Sequence, residues 1–210
     1  MRVLVLCDDF WHPASTPQQG LAALGDCGFE FDCIENAMDW SAGRMASYPI
    51  VLLAKSNNVS STDQANWVSE ETKAAFKAYV SQGNGLLVVH SGLAGYQQAL
   101  TLRALMGGVF THHPAQCPVT VQPQAGHALT RSAGAFTLTD EHYFIDLDDL
   151  AADVFMTTTS EHGAQPGGWT RSEGKGRVCV LTPGHNLWVW LHPSFQALLL
   201  NALQWCSVQN

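Results

Sequence analysis

Nine histidines are spread over the 210 residues, and three of them stand just behind short apolar runs. His12 comes after residues 2–7 (RVLVLC), with Asp8, Asp9 and Trp11 between; His90 follows residues 86–89, and His185 follows residues 178–182. In an open α/β sheet, ligands bind in the crevice beyond the carboxyl ends of the strands, so residues at these positions face that crevice. Glu141 lies in the run Asp140-Glu141-His142-Tyr143, and His112 and His113 stand near Phe110. Imidazole and carboxylate groups exchange protons near neutral pH when their surroundings push their pKa values apart, which makes these residues candidates for acid–base catalysis. The same types, three or four neutral histidines plus Glu141, also compose a zinc- or manganese-type site. The acid–base reading needs no cofactor and assigns no metal ligand; a divalent metal such as zinc is the alternative. Trp11, Tyr96 and Tyr143 supply aromatic walls for a polar ligand, with Trp188 a further option.

Other residues carry plainer readings. His127 and His162 lie in Gly-rich polar stretches and are expected at the surface. If its segment is extended, His142 points to the face opposite Glu141 and Tyr143. His192, before Pro193, shapes the start of the last helix. His112-His113-Pro114 also reads as a surface turn, and Asp146, Asp148 and Asp149 as a solvated acidic loop. Trp188 and Trp190 either line a pocket or pack the core. Ser91 lacks the glycines of a G-x-S-x-G elbow, since Val89 and Leu93 stand two positions away on either side. No G-x-G-x-x-G or P-loop follows a strand, and no H-E-x-x-H is present.

The elements that must position these groups alternate in type. Residues 2–7, 50–54 and 86–89 are short, nearly continuous apolar runs, as expected of strands buried on both faces, and residues 29–34 look like a further strand. Between them, Thr16-Pro17 reads as the N-cap and first turn of a helix running to Leu24 and stopped by Gly25. Ser69, followed by Glu70 and Glu71, caps a second helix stopped by Gly83. A third spans residues 97–106. From residue 111 to 169 the periodicity weakens, with strands expected at 119–121, 136–138 and 154–158. A strand over 178–182 precedes a final helix whose apolar stripe is Phe195, Leu198, Leu199, Ala202, Leu203 and Cys206. Alternating strands and helices predict βαβ units in a doubly wound, mainly parallel α/β sheet, as one domain over residues 1–210.

Composition narrows the partners. Charged residues are 13% and apolar residues 46%, which excludes a disordered chain. The formal net charge is −8, and no Lys/Arg cluster offers a footprint for nucleic acid or an anionic membrane. The six cysteines show no C-x-x-C spacing, and Cys7, Cys179 and Cys206 sit in apolar runs as buried thiols. No run is long enough for a signal peptide or a membrane span. The expectation is a soluble cytoplasmic protein with a small-molecule ligand; homo-oligomerisation stays open.

Residues 83–90 (GNGLLVVH), Gly107-Gly108-Val109-Phe110 with His112-His113-Pro114, Asp140-Glu141-x-Tyr143, residues 176–185 and His192-Pro193-x-Phe195 occur in an order that resembles the ThuA-like, or trehalose-utilisation, family. The segment from Asp8 to Pro13 resembles a bacterial subgroup described as type 1 glutamine amidotransferase-like. The resemblance implies a flavodoxin-like, class I glutamine amidotransferase-like fold. It also implies a carbohydrate-metabolism enzyme, of isomerase or hydrolase type, acting on a sugar or keto-sugar derivative; a non-catalytic sugar-binding module on the same fold is a further alternative. By motif position, His90, His113, Glu141, Tyr143 and His185 are the implied site residues, with His12 added by the subgroup pattern. His90, Glu141, His185 and His113 are assigned as catalytic, and His12, Trp11, Tyr96, Tyr143 and His112 as substrate contacts, Trp11 and Tyr96 as aromatic walls. Either His112 or His113 answers to the single expected histidine. His90 stands where an amidotransferase carries its cysteine, and an imidazole there cannot replace the attacking thiolate, so the glutaminase label describes the fold alone.

Overall fold

The aliphatic runs of the first half form strands because β-branched and leucine side chains pack on both faces of a covered sheet. A computed structural model describes residues 1–208. In chain order the strands are β1 (Arg2–Leu6), β2 (Glu30–Ile34), β3 (Ile50–Leu53), β4 (Gly85–Val89), β5 (Gly108–His112) and β6 (Cys117–Pro123). They continue with β7 (Phe136–Asp140), β8 (Phe144–Leu147), β9 (Asp153–Ser160), β10 (Gly163–Glu173) and β11 (Gly176–Leu181). The helices are α1 (Ser15–Ala22), α2 (Ala42–Met45), α3 (Glu70–Ser81), α4 (Leu100–Met106), α5 (Leu187–Trp190) and α6 (Pro193–Ser207).

Nine strands make one sheet in the order β2-β1-β3-β4-β11-β10-β9-β6-β7, and β5 pairs with β8 in a separate two-stranded sheet. The pairs from β2 to β11 are parallel, in the 2-1-3-4-5 order of flavodoxin-like sheets. The pairs from β11 to β7 are antiparallel. The sheet is therefore mixed, which corrects the expectation of a mainly parallel one. Linker length is the reason. Gly174-Lys175 and Glu161-His162 leave two residues between consecutive strands, enough for a hairpin and far too few for a crossover. Strand β10 escapes a sequence reading because Pro166, Gly167 and Gly168 look like a loop. Its register shifts there, and a Cβ on Gly168 would lie 2.9 Å from the Phe155 ring.

Both faces of the parallel half are covered. Val3, Val5, Leu87, Val89 and Cys179 pack on one side with the whole α6 stripe, and Leu4, Leu6, Leu86 and Val88 on the other with Phe76 and Tyr79. Helix α3 starts as expected, with Ser69 Oγ accepting from Thr72 N. Helix α1 does not. It begins at Ser15, Thr16 caps nothing, and the Asp8 carboxylate instead accepts from Ala14 N at 3.2 Å. Helix α4 starts at Leu100 rather than residue 97 and ends in Gly107, at φ 79°. All six cysteines are free, and Cys7, Cys179 and Cys206 are buried. Among the described residues no helix is long and apolar enough to cross a membrane.

Candidate functional site

Three loops leave the carboxyl ends of parallel strands and converge. Past β1 the chain turns at Asp8, where φ is 68°, and Asp9 and His12 fall into hydrogen-bond contact. Past β4 it turns sharply at His90, where φ is 45°, into a 3-10 turn over His90–Leu93. That elbow demands Gly92, since a Cβ there would lie 2.2 Å from Leu53 O. A side chain at positive φ is strained, and here the two strained positions carry or adjoin cluster residues. Past β11, His185 follows Gly184.

Glu141 is the common neighbour. Its carboxylate oxygens lie 3.1 Å from His185 Nδ1, 3.4 Å from His90 Nε2, 3.6 Å from His113 Nε2 and 4.0 Å from His12 Nε2. The donor atoms of His12, His90, Glu141 and His185 all fall within 4.8 Å of one another. His12 Nε2, His90 Nε2 and His185 Nδ1 are buried and hydrogen-bond to no described residue. The other ring nitrogens of two of them are engaged. His90 Nδ1 lies 2.8 Å from Thr182 O, a carbonyl that can only accept, so this nitrogen carries the proton. In the neutral ring His90 Nε2 is then a bare lone pair facing a carboxylate oxygen. Burial pulls His90 below the ordinary histidine pKa despite Glu141 and so keeps it neutral. Two acceptors facing each other at 3.4 Å call for a cation between them. A tetrahedral ion with ~2.1 Å bonds sets its donors about 3.4 Å apart, close to these separations. The His₃Glu cluster can hold a metal.

Two buried aspartates that lie within the motifs but were assigned no role fix this geometry. Asp9 Oδ1 accepts from His12 Nδ1 at 2.8 Å and from Trp11 N, and Oδ2 accepts from Ser56 N at 2.8 Å. Burial works to raise the Asp9 carboxyl, but His12 and the backbone donors outweigh it and hold it below the usual range. Burial likewise opposes charge on His12, yet Asp9 and Glu141 raise it to about 9. The second, Asp140, accepts from the three successive N–H groups of Gly184, His185 and Asn186 at 2.8, 3.1 and 3.2 Å. Burial raises its pKa against the pull of His90 and these donors. The bracket ties the end of β7 to the loop after β11, and so seats Glu141 beside His185. Burial alone would raise Glu141, but His12, His185 and His90 hold it well below the usual carboxylate range. The spacing Asp9-x-x-His12 and the position of Asp140 directly before Glu141 were the available signals for both.

A cavity of about 400 Å³ opens over the cluster, lined among others by Trp11, His12, Phe110, His113, Glu141, Tyr143 and His185. Tyr143 is buried, with its ring stacked on His90 at 3.9 Å between centroids. Of the two adjacent histidines, His113 lines the cavity; His112 is exposed, stacks on Phe144 and is not among the lining residues. Tyr96, expected as an aromatic wall, does not line the cavity either. It is fully buried, its hydroxyl donating to Lys55 O at 2.9 Å and accepting from Trp67 Nε1, and it stays behind the cavity wall. Trp190 packs in the core against Gly20, while Trp188 is half exposed and donates to Thr139 O. His142 points away to Ser160 and Thr158. His192 caps α6, and His162 is exposed. His127 is half-buried rather than exposed, paired with Asp153 and stacked on Phe155. The acidic run is no free loop: Asp146 and Asp148 pair with Arg103, and Asp149 with Arg171.

A flavodoxin-ordered parallel core, extended by antiparallel strands and carrying polar residues at its switch point, is consistent with the class I glutamine amidotransferase-like fold. The chain belongs to the ThuA (trehalose utilisation) family, which matches residues 2–206. Its fold is similar to that of a ThuA-like protein of Bacteroides uniformis, with a TM-score of 0.75 at 17% identity over 98% of this chain and 91% of that one. A protein of Salmonella typhimurium LT2 described as cytoplasmic aligns at TM-score 0.69 and 14% identity, over 99% and 97% of the two chains. A cold-adapted β-galactosidase of Rahnella sp. R3 aligns at TM-score 0.69 and 17% identity, over 96% of this chain but 31% of the enzyme. At these identities the likeness is one of fold. No curated protein sequence matches the chain.

Proposed function

We propose that the chain is a carbohydrate-metabolism enzyme that acts on a sugar or keto-sugar derivative with a divalent metal of zinc type. His12, His90, His185 and Glu141 would hold the ion. The observation that carries this reading is the set of three buried, unpartnered imidazole nitrogens aimed at one carboxylate. The groups behind them, the Asp9 carboxylate on His12 and the Thr182 backbone carbonyl on His90, are of the kind that fix ligand tautomers in metal sites. Such an ion, when bound, polarises a carbonyl or activates a water. His113 lies on the cavity side with its Nδ1 donating to Pro114 O at 2.7 Å, which leaves Nε2 to take or return a substrate proton. The Tyr143 hydroxyl, free of described partners, and the Trp11 indole would hold the substrate. The family name supports a sugar, and isomerase or hydrolase chemistry fits the residues. Glutaminase activity is not proposed: the elbow residue is His90, and among the described residues no cysteine lines the cavity. Cytoplasmic residence is proposed from the acidic composition and the relative described as cytoplasmic.

The metal-free acid–base reading is favoured by one observation, the raised pKa of His12, which would make an imidazolium–carboxylate pair with Glu141. Metal analysis of untagged protein, with turnover of simple disaccharides and keto-sugars before and after chelation, separates the two. Retained metal, with turnover lost on chelation and restored by zinc or manganese, is expected. Turnover indifferent to chelation by a metal-free protein would overturn the metal reading, and no turnover of any sugar would overturn the carbohydrate reading.

A further inference from the structure

His12, Glu141 and His185 account for only part of the cavity lining. One wall is aromatic: Phe110, Tyr143 and, at the mouth, Trp11 with 65% of its surface exposed. Ser56, Asn57, Asn58 and Asn66 line the same cavity. Two of these amides are already engaged. Asn57 donates to Gly95 O and accepts from Val68 N; Asn58 donates to Gln64 O and accepts from Ser56 Oγ. They set the shape of the wall, and the Ser56 N–H bond to Asp9 joins it to the loop that carries His12. Asn66 is exposed and hydrogen-bonds to no described residue, so its carboxamide is free to give and take one bond each. No lysine or arginine lines the cavity among the described residues. The amine nearest in sequence to this wall, Lys55, is fully buried and spends itself on Asp8 O and Val59 O.

We infer that Trp11 and Asn66 form a subsite for an uncharged, polyhydroxylated ring that lies beside, not at, the reacting centre. The subsite discriminates against phosphorylated rings. An indole face packs the C–H face of a sugar ring, and a free carboxamide matches a hydroxyl that both donates and accepts. A phosphate placed there would find no guanidinium or ammonium partner and would lose hydration without return. The inference rests on the carbohydrate reading and deepens it.

Calorimetric binding of glucose, trehalose, glucose 6-phosphate and trehalose 6-phosphate to the wild-type chain, Trp11→Ala, Trp11→Phe and Asn66→Ala tests it. Both side chains are exposed, so the variants should keep the wild-type melting temperature. Trp11→Ala should weaken trehalose about 10-fold and glucose less than about threefold, with Trp11→Phe restoring most of the loss. Asn66→Ala should weaken trehalose about fivefold. Trehalose 6-phosphate should bind more than about 10-fold less tightly than trehalose. Trehalose affinity unchanged in both alanine variants, or a phosphorylated sugar bound as tightly as its parent, would overturn the subsite while leaving the carbohydrate reading in place. Failure of the wild-type chain to bind any of the four sugars would overturn both.

Discussion

The two halves of the sheet deliver donors to one cluster by different means. The parallel half sends His12, His90 and His185 from the ends of β1, β4 and β11, where every residue from Val3 to Leu6 and from Leu86 to Val89 is fully buried. Packing on two faces leaves those strand ends little freedom, and the turns at Asp8 and His90 aim the side chains. The antiparallel half sends Glu141 from β7, an edge strand with alternating buried and exposed residues. An edge strand has one neighbour and one covered face, so packing does not fix where its end points. Asp140 supplies what packing does not, by accepting three N–H groups from the loop that bears His185. A carboxylate is thus placed by a polar bracket, and the strand ends that lead to its histidine partners by the core, with Asp9 holding the His12 ring.

Removing a donor from either half tests the cluster itself and should give the largest effect. His90→Ala and Glu141→Gln should each weaken zinc binding by more than about 100-fold in equilibrium dialysis, because losing a ligand exceeds the roughly 10–100-fold cost of losing an outer partner. Wild-type zinc affinity in either variant would show that the four donors do not act on one ion.

The brackets come next. Asp140→Asn replaces an oxygen that faces backbone donors with an amide that cannot accept from them, stranding buried N–H groups at about 1–3 kcal/mol. We expect a lower melting temperature and zinc binding weakened about 10–100-fold. Asp9→Asn should weaken zinc to a similar degree through His12. If Asp140→Asn lowered stability and left zinc affinity alone, Glu141 would owe its position to something other than the bracket.

A pH titration distinguishes His12 from His90 within the parallel half. In chelated protein the His12 pKa, raised to about 9 by Asp9 and Glu141, lies above the unfolded value near 6.5. Its contribution, at most about 3 kcal/mol, is fully present below pH ~6.5 and lost as pH climbs through about 9. His90, lowered by burial, has the opposite sign: its contribution is present above pH ~6.5 and lost as pH falls. Zinc must displace the His12 proton, so zinc affinity should rise across the window in which the chelated protein weakens. Denaturant unfolding and zinc dialysis between pH 6 and 9.5 measure both; parallel rather than opposed trends would contradict the assignment of charge.

The parallel half was legible in the sequence because its inner strands β1, β3 and β4 are unbroken apolar runs past Arg2 and Gly85, and helix α3 carries ordinary punctuation at Ser69 and Gly83. The α6 stripe, six apolar residues at helical spacing, is buried in full. Of the antiparallel half, β6, β7 and β9 were legible as short strands over 119–121, 136–138 and 154–158; β10 was not, because its partners compensate for residues that look like breaks: Pro166, Gly167 and Gly168 are tolerated where β10 bulges against β9. The convergence of His12, His90, His113, Glu141 and His185 followed from strand ends and motif order. Tyr96 did not enter the cavity because its hydroxyl had backbone and indole partners in the core that no local pattern reveals. Asp9 and Asp140 were passed over for a related reason. Their roles lie in accepting backbone hydrogen bonds from loops 47 and 44 residues away, and sequence spacing carries no trace of such pairings.

The smallest effect belongs to the ion pairs that tether the antiparallel region elsewhere. Arg103, on α4, reaches Asp148 just past β8 at 2.6 Å, with both side chains partly exposed. Exposed pairs contribute about 0–1 kcal/mol, since solvent screens the attraction and ordering two side chains costs entropy. Arg103→Ala should therefore shift the unfolding free energy by less than about 1 kcal/mol. Its value lies in what it leaves alone. If Glu141 is seated by Asp140, loosening this tether should leave zinc affinity within about twofold of the wild-type value. If Glu141 is instead seated by the docking of the whole antiparallel region onto α4, the same substitution should weaken zinc and slow turnover together. A double-mutant cycle of Arg103→Ala with Asp140→Asn decides between these. Independent effects on zinc affinity place the carboxylate under the bracket alone, and a coupling above about 0.5 kcal/mol places it under the tether as well.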